Sequence, residues 1–425
     1  YASIKMDWRN AFWRDVPVLT QYVARCQSVL QAGQHANDVL LYWPIHDLWM
    51  DACGTTIPLT VHRREWMANQ PVGETANFFL RRGFAFDFIS DRMVAESAVR
   101  DGMIITPGGA YRALVVPPCR YMPEETFTRL TELAQAGAAI IFQRRLPDDV
   151  PGRADLARRR TRFIEQRAMA KQNGVILTDD IERALTAAQA VREPMVDRGL
   201  RFVRRKVDAD TWYFIANHTA EVVDDWIVLG SPCSEAARFD AMTGASGRLP
   251  VRKRDGRTEV YLRLEPGQTT FVRTGADAAM PPWRHFRPCG EPVVLSGTWS
   301  VEFIEGGPVL PAAYRTGKLA SWTEAPDVAA QAFAGTARYV LEFPAPPMRA
   351  DAWLLDLGDV RHSARVRLNG RDLGTLVALP FSVLLDQAVQ KGRNRLEIEV
   401  TNLSANRIRD LDLRNVDWKI MKDIN

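Results

Sequence analysis

The run of residues 43–49 combines two tryptophans with a histidine and an aspartate where a predicted strand ends. Trp43 follows an apolar stretch, and His46 and Asp47 come shortly after it. Aromatic rings stack on sugar rings, and a carboxylate with an imidazole binds hydroxyl groups, so Trp43, His46 and Asp47 predict one wall of a ligand site. In an equally open alternative, Trp43 and Trp49 anchor a domain interface and Asp47 caps a turn.

A second candidate is the aromatic and charged run of residues 6–15, just before a predicted helix over residues 17–33. If that helix is the last one of a (β/α)8 barrel whose strands lie upstream, the run belongs to a strand-to-helix loop on the catalytic face. Trp8, Asn10 and Trp13 would then lie near a substrate. In the alternative interpretation, these aromatic side chains only cover the top of the barrel.

Cys119 is a candidate nucleophile because it follows the predicted strand 113–116, and amidotransferases carry a cysteine at such a strand end. A nucleophile elbow needs glycine on both sides, whereas Pro118 and Arg120 flank Cys119. We therefore expect a packed thiol, and an independent amidotransferase is the weakest functional interpretation.

Phosphate and metal motifs are not found. The pair Gly108 and Gly109 lacks the spacing of a phosphate loop and predicts a hairpin turn. The five cysteines are widely spaced, which argues against a zinc site or a disulfide framework. Four carboxylates are candidate calcium ligands by residue type but lack the dense spacing of a hand-type loop: Asp359, Asp410, Asp412 and Asp417.

Composition limits the class of protein. The chain has 425 residues, 46% hydrophobic and 25% charged, with a formal net charge of +4, which predicts about three globular domains. No apolar stretch reaches the roughly 18–20 residues needed to span a bilayer, and basic residues are scattered, so neither a membrane nor a nucleic-acid partner is expected. The chain starts at Tyr1 without a signal-peptide pattern, so we expect an internal fragment of a longer protein.

The elements that must position these residues follow from hydrophobic periodicity. Short apolar strands alternate with helical patterns over residues 36–197, which predicts a flavodoxin-like or amidotransferase-like α/β domain with a parallel sheet. The predicted strands are 39–44, 84–89, 113–116, 138–142 and 175–177, and the predicted helices include 74–82, 123–136, 154–172 and 181–190.

Beyond Pro194 the apolar residues alternate with a period of two, which is typical of antiparallel strands. Residues 198–275 predict a small antiparallel β domain, and the proline-rich residues 276–292 predict a linker. Residues 293–405 predict a β-sandwich or jelly roll, followed by a carboxyl-terminal extension over 406–425. Residues 1–35 are interpreted as the end of the upstream barrel.

Several motifs carry a resemblance to known families. Four of them resemble the galactose-binding-like jelly roll of family 2 type glycosidases, and Ser296-Gly297-Thr298-Trp299 is similar to its first strand. The α-L-rhamnosidases of glycoside hydrolase family 106 are resembled by two further motifs that precede the jelly roll. These motifs are residues 22–33 followed by 38–40, and residues 213–218. The four jelly-roll motifs are 333–339, 354–360, 364–375 and 394–402.

The resemblance implies an inverting enzyme that removes terminal α-L-rhamnose from oligosaccharides, polysaccharides or glycosides. It also implies a barrel with two catalytic glutamates upstream of Tyr1, so no catalytic residue is assigned here. Calcium is implied for the full enzyme, without assigned ligands in this segment. A periplasmic or secreted location is the expectation for such an enzyme. A noncatalytic carbohydrate-binding or structural assembly of another glycosidase is the alternative.

Overall fold

The computed structural model describes residues 7–348, 350–385 and 387–418. At the amino-terminal end, a 3-10 turn over Ala11–Asp15 leads directly into helix α1, Val16–Leu30, and strand β1, Gln34–His35, follows. Pro17 lies in the first turn of α1, where its missing N–H costs no hydrogen bond. The predicted segments 1–35 and 406–425 include residues 1–6 and 419–425, which lie outside the described residues.

A five-stranded, all-parallel sheet has the order β3-β2-β7-β8-β9. Strands β2 and β7 are buried at every position, as expected when helices cover both faces of a sheet. The elements of this part are β2 Val39–Tyr42, α2 Ile45–Trp49, α3 Pro71–Arg82, β3 Phe86–Ile89, α4 Asp91–Glu96, β4 Ala98–Arg100, β5 Met103–Thr106, β6 Gly109–Tyr111, β7 Ala113–Val116, α5 Glu124–Gln135, β8 Ala139–Gln143, α6 Leu156–Met169, β9 Ile176–Thr178 and α7 Ile181–Ala187.

Two separate apolar cores cover the two faces of this sheet. Leu40 and Tyr42 of β2 face a core that contains Phe127 of α5 and Phe163 of α6. The alternate residues of β2 face a second core, formed with α3 and α7. Successive side chains of a strand point to opposite faces of the sheet. Each face of β2 therefore presents apolar side chains against which helices pack.

Strands β4, β5 and β6 form a small antiparallel sheet inserted before β7. Gly108 lies in the turn between β5 and β6, and Gly109 begins β6, so the predicted hairpin at this glycine pair is confirmed. Thr106 closes the turn, because its hydroxyl accepts hydrogen bonds from the amides of both glycines.

Residues 200–273 form antiparallel sheets around one apolar core. One sheet has the order β1-β10-β11-β17-β13-β14 and the other the order β12-β16-β15. The strands are β10 Leu200–Val207, β11 Asp210–Asn217, β12 Val223–Leu229, β13 Ala236–Phe239, β14 Ser246–Leu249, β15 Val251–Arg254, β16 Arg257–Leu264 and β17 Thr269–Arg273.

The last part of the chain is a further antiparallel β structure. Its six-stranded sheet has the order β19-β18-β20-β25-β22-β23, and β21 pairs with β24. Its elements are β18 Trp299–Gly307, β19 Tyr314–Thr316, α8 Val328–Gln331, β20 Ala334–Pro344, β21 Leu354–Asp356, β22 Ser363–Leu368, β23 Arg371–Leu376, β24 Ser382–Leu384, β25 Arg393–Thr401 and α9 Ala405–Leu413. Within the described residues, the protein is therefore a mixed α/β structure with one parallel sheet and several antiparallel sheets.

Helix α1 packs on the antiparallel sheet that contains β11, β13 and β17. Cys26 is buried in one cluster with Phe271 and Ala241, and Tyr22 packs at its edge. The predicted linker also contacts this part of the chain, because the amide of Trp283 donates to the carbonyl of Arg248 over 2.8 Å. No helix within the described ranges combines the length and the apolar character required to cross a bilayer.

Candidate functional site

The first candidate site lies at the carboxyl edge of the parallel sheet. From β2 the chain first adds β3 on one side and later adds β7 on the other side. The connections from the neighbouring strands β2 and β7 therefore leave in opposite directions, which opens a crevice where α/β proteins bind ligands. Helix α2 starts three residues after β2 and carries His46 and Asp47 to this edge.

Asp47 fixes the loop that follows β7. Its carboxylate accepts hydrogen bonds from the backbone amides of Arg120, at 2.8 Å, and Tyr121, at 2.7 Å. A carboxylate that accepts from consecutive amides is held in place and has less capacity left for a ligand. Asp47 thus joins helix α2 to the loop that follows β7.

His46 is held by a carboxylate that sequence reasoning missed. The Nε2 atom of His46 lies 3.1 Å from Oδ2 of Asp91, and Oδ1 of Asp91 accepts from the hydroxyls of Tyr42 and Thr126, each at 2.7 Å. A carboxylate only accepts, so Nε2 of His46 carries the hydrogen and Nδ1 is left as an acceptor in the neutral imidazole. The signal for Asp91 was its place two residues after the end of β3, at the same sheet edge.

The hydrogen bonds around Asp91 favour its ionised form. Burial raises the pKa of Asp91, but the hydrogen bonds from His46, Thr126 and Tyr42 outweigh burial and hold the pKa below its ordinary value. Burial and the nearby charge of Asp91 raise the pKa of Tyr42 well above its ordinary value, so Tyr42 keeps its proton and donates. The result is an oriented imidazole beside a charged carboxylate, suited to binding a hydroxyl group.

The tryptophans of this run have different environments. Trp43 packs against Trp66 with 5.8 Å between ring centroids, and both line a narrow pocket beside α2. Trp49 meets the His46 ring edge-to-face at 5.4 Å, and 47% of its surface is exposed. Trp49 is therefore the more accessible aromatic surface next to His46.

The second candidate set lies on the segment before α1. Trp8 is 77% exposed, and Trp13 is 42% exposed. The carbonyl of Asn10 accepts from the amide of Trp13 over 3.0 Å, and the amide of Asn10 donates to Asp7, so residues 7–13 form two consecutive turns. The 3-10 turn that contains Trp13 contacts β20, whereas α2 follows β2 of the parallel sheet.

Cys119 is buried, and burial and the charge of Asp47 raise the pKa of its thiol far above the ordinary value. Such a thiol stays protonated and unreactive near neutral pH. No group of three or more His, Cys, Asp or Glu side chains that could hold a metal ion occurs within residues 7–348, 350–385 and 387–418. Of the carboxylates weighed as calcium ligands, Asp359 pairs with Arg361 at 3.0 Å and Asp410 pairs with Arg407 at 2.8 Å.

The described structure is a mixed α/β protein with several antiparallel sheets and a candidate site at the edge of its parallel sheet. Residues 5–245 match the family model of glycoside hydrolase family 106, described as α-L-rhamnosidase. Because this match covers more than half of the 425 residues, the chain belongs to the family 106 α-L-rhamnosidases.

Two relatives illustrate the similarity. The chain resembles the structure of a rhamnosidase from Novosphingobium sp. PP1Y with a TM-score of 0.75 and 22% identity, over 99% of this chain and 40% of that protein. It is also 38% identical over 121 residues to a putative β-glucuronidase of Formosa agariphila, which covers 28% of this chain and 10% of the relative. The chain therefore spans less than half the length of either relative.

Proposed function

We propose that this chain is the carboxyl-terminal part of a glycoside hydrolase that removes terminal α-L-rhamnosyl residues. The observation that carries the proposal is the family match over residues 5–245, which includes both candidate site segments. The substrates would be rhamnose-containing oligosaccharides, polysaccharides or glycosides. We also propose a periplasmic or secreted location, which is where such substrates are met.

The proposed reaction is hydrolysis with inversion, in which one carboxylic acid protonates the departing oxygen and a second carboxylate activates water. An inverting pair stands about 6.5–9.5 Å apart with a water between its members. Asp47 and Asp91 accept at least two hydrogen bonds each from this chain, so they are poor candidates for that pair. In accordance with the family resemblance, we assign the two catalytic carboxylates to residues upstream of Tyr1.

In this proposal the described chain supports the catalytic part and contributes walls of the substrate cleft. Trp8, Asn10 and Trp13 form one wall before α1. Trp43, His46 and Asp47 form the other, where Nδ1 of His46 accepts from a sugar hydroxyl and Asp47 keeps α2 in place. The exposed ring of Trp49 extends this second wall.

Two finer assignments belong to the same proposal. The order β3-β2-β7-β8-β9 supports a flavodoxin-like or amidotransferase-like α/β domain, since it corresponds to the doubly wound order 2-1-3-4-5. The six-stranded sheet with the β21–β24 pair supports a galactose-binding-like jelly roll over residues 293–405. We assign the calcium site implied by the family resemblance to the rest of the enzyme; this assignment is supported by the lack of a group of three or more His, Cys, Asp or Glu side chains that could hold a metal ion among the described residues.

The test is hydrolysis of a chromogenic aryl α-L-rhamnoside, with calcium, by this chain and by a longer protein that includes the upstream residues. We expect turnover only by the longer protein, with the β anomer of rhamnose as first product by NMR. Turnover by this chain alone would contradict the upstream assignment of the carboxylates. The absence of turnover by both would favour the noncatalytic carbohydrate-binding assembly, or another sugar.

A further inference from the structure

One face of the last β sheet carries a row of alternating charges. Glu302 lies opposite Arg338, Arg338 opposite Glu399, and Glu399 opposite Arg365, so the row crosses β18, β20, β25 and β22. Directly opposite residues on neighbouring strands share a face, and opposite charges there attract. The guanidinium of Arg338 lies 2.9 Å from the carboxylate of Glu399.

Two consecutive residues of the amino-terminal segment complement this row. Arg14 places its guanidinium 2.7 Å from Glu399. Asp15 accepts from Nε of Arg365 over 2.6 Å and from the hydroxyl of Ser363 over 2.5 Å. Arg365 also donates to the backbone carbonyl of Arg14. Each charge of the Arg14–Asp15 pair thus meets the opposite charge on the sheet.

The contact is buried enough to be strong. Asp15 is only 2% exposed, and the side chains of Ser363 and Glu399 are also largely buried. Burial raises the pKa of Glu399, but the hydrogen bond from Arg338 and the charge of Arg14 hold it below its ordinary value, so Glu399 stays ionised. Removal of one partner of such a buried pair leaves an uncompensated charge, which is costly.

We call the contacts of Arg14 and Asp15 with Glu399, Ser363 and Arg365 the clamp. The clamp lies close in sequence to Trp8, Asn10 and Trp13, the first wall of the proposed cleft. Arg14 and Asp15 end the 3-10 turn Ala11–Asp15, and Trp13 lies in the same turn. The turns of residues 7–13 are joined to it by backbone hydrogen bonds, whereas α1 on the other side is fixed by its own packing. Release of the clamp would therefore free residues 7–15 more than α1.

We propose that Asp15 and Arg365 are positioning residues, through which the carboxyl-terminal sandwich holds residues 7–15 in the geometry that binds substrate. This proposal rests on the proposed rhamnosidase function. Arg365 acts on substrate only through Asp15 and the segment attached to it. The affinity for a rhamnoside thereby depends on Arg365, which lies 350 positions after Asp15 along the chain.

The test uses the longer protein with the upstream residues and the substitution Arg365→Met, which keeps an unbranched side chain but removes the charge and the donors. We expect KM for an aryl α-L-rhamnoside to rise about tenfold with kcat changed less than about threefold, as for lost uniform binding. Hydrogen exchange of the backbone amides of residues 7–15 should become faster. Arg365→Lys, which restores the charge beside Asp15, should recover part of both effects.

The matched control is Arg393→Met, which removes an exposed ion pair with Glu342 on the same sheet. We expect this variant to keep the parent KM and the parent exchange pattern. Asp15→Asn tests the other side of the clamp and should reproduce the effects of Arg365→Met. Melting temperatures of all variants show which of them remain folded.

The outcomes separate the two proposals. If the parent protein does not hydrolyse rhamnosides, the proposed function fails, while hydrogen exchange still reports whether the clamp holds residues 7–15. If Arg365→Met accelerates exchange but leaves KM unchanged, the clamp exists without a role in substrate binding and the positioning proposal is overturned. Unchanged exchange in a folded Arg365→Met variant also overturns it.

Discussion

The guanidinium of Arg204 lies 3.0 Å from the carboxylate of Glu193, and both side chains are almost completely buried. Arg204 also lies 2.7 Å from Asp38, which precedes β2. Glu193 accepts in addition from the hydroxyl of Tyr213 and from the amide of Gly230. This network joins the parallel α/β part of the chain to the antiparallel β part, because its members come from both.

Arg204→Met should therefore destabilise the protein by about 3–5 kcal/mol, since it leaves the buried Glu193 carboxylate and the partly exposed Asp38 carboxylate without their cation. Urea unfolding at pH 7 measures the change. The control is Arg201→Met, an exposed position on the same strand, which should change the free energy of unfolding by less than about 0.5 kcal/mol. Equal effects of the two substitutions would contradict a special role for the buried pair.

Ionisation of Asp91 should make the stability of the folded protein depend on pH. Its folded pKa is held below the ordinary value of 3.8, so its contribution to stability is fully present above that pH and is lost as the pH falls through the folded pKa. Asp91→Asn should cost about 1.5–3 kcal/mol at pH 7 and progressively less as the pH falls below about 4. Urea unfolding at a series of pH values provides the comparison.

The control for Asp91 is Asp255→Asn, because Asp255 is almost fully exposed and pairs only loosely with Arg254 at 3.9 Å. We expect little change in stability at any pH for this variant. A cost of Asp91→Asn that stays constant from pH 7 to pH 3 would show that the charge of Asp91 does not matter.

The cysteines should differ in reactivity in the native protein. Cys53 and Cys289 are exposed, whereas Cys119 is buried and burial raises its pKa far above the ordinary value. Iodoacetamide at pH 8 should modify Cys53 and Cys289 within minutes and leave Cys119 unmodified, as measured by peptide mass spectrometry. Labelling in urea, where all cysteines react, is the control, and rapid native labelling of Cys119 would revive the nucleophile interpretation.

Trp49 offers a test of the second wall of the proposed cleft. Trp49→Ala in the longer protein should raise KM for a rhamnoside about three- to tenfold and change stability by less than about 1 kcal/mol, because the ring is half exposed. Phe286→Ala removes another half-exposed aromatic ring and should leave KM unchanged. A Trp49→Ala variant with the parent KM would remove Trp49 from the site.

The sequence alone predicted the local elements well. The strands β2 and β7 are buried on both faces, so their residues form continuous apolar runs. Helix α5 is buried on one face, so its apolar residues recur with the helical period. The glycine pair at 108–109 likewise specified a hairpin turn through its backbone freedom. Family membership also followed from motifs along the chain.

The partners of the candidate site residues were decided only by tertiary structure. His46 meets Asp91 from 45 positions away, and Asp15 meets Arg365 from 350 positions away. Hydrophobic periodicity predicts whether a residue is buried or exposed, but it does not predict which distant side chain contacts that residue. That choice depends on how helices and sheets pack together, so the sequence specified the residues and the packing of the chain specified their pairing.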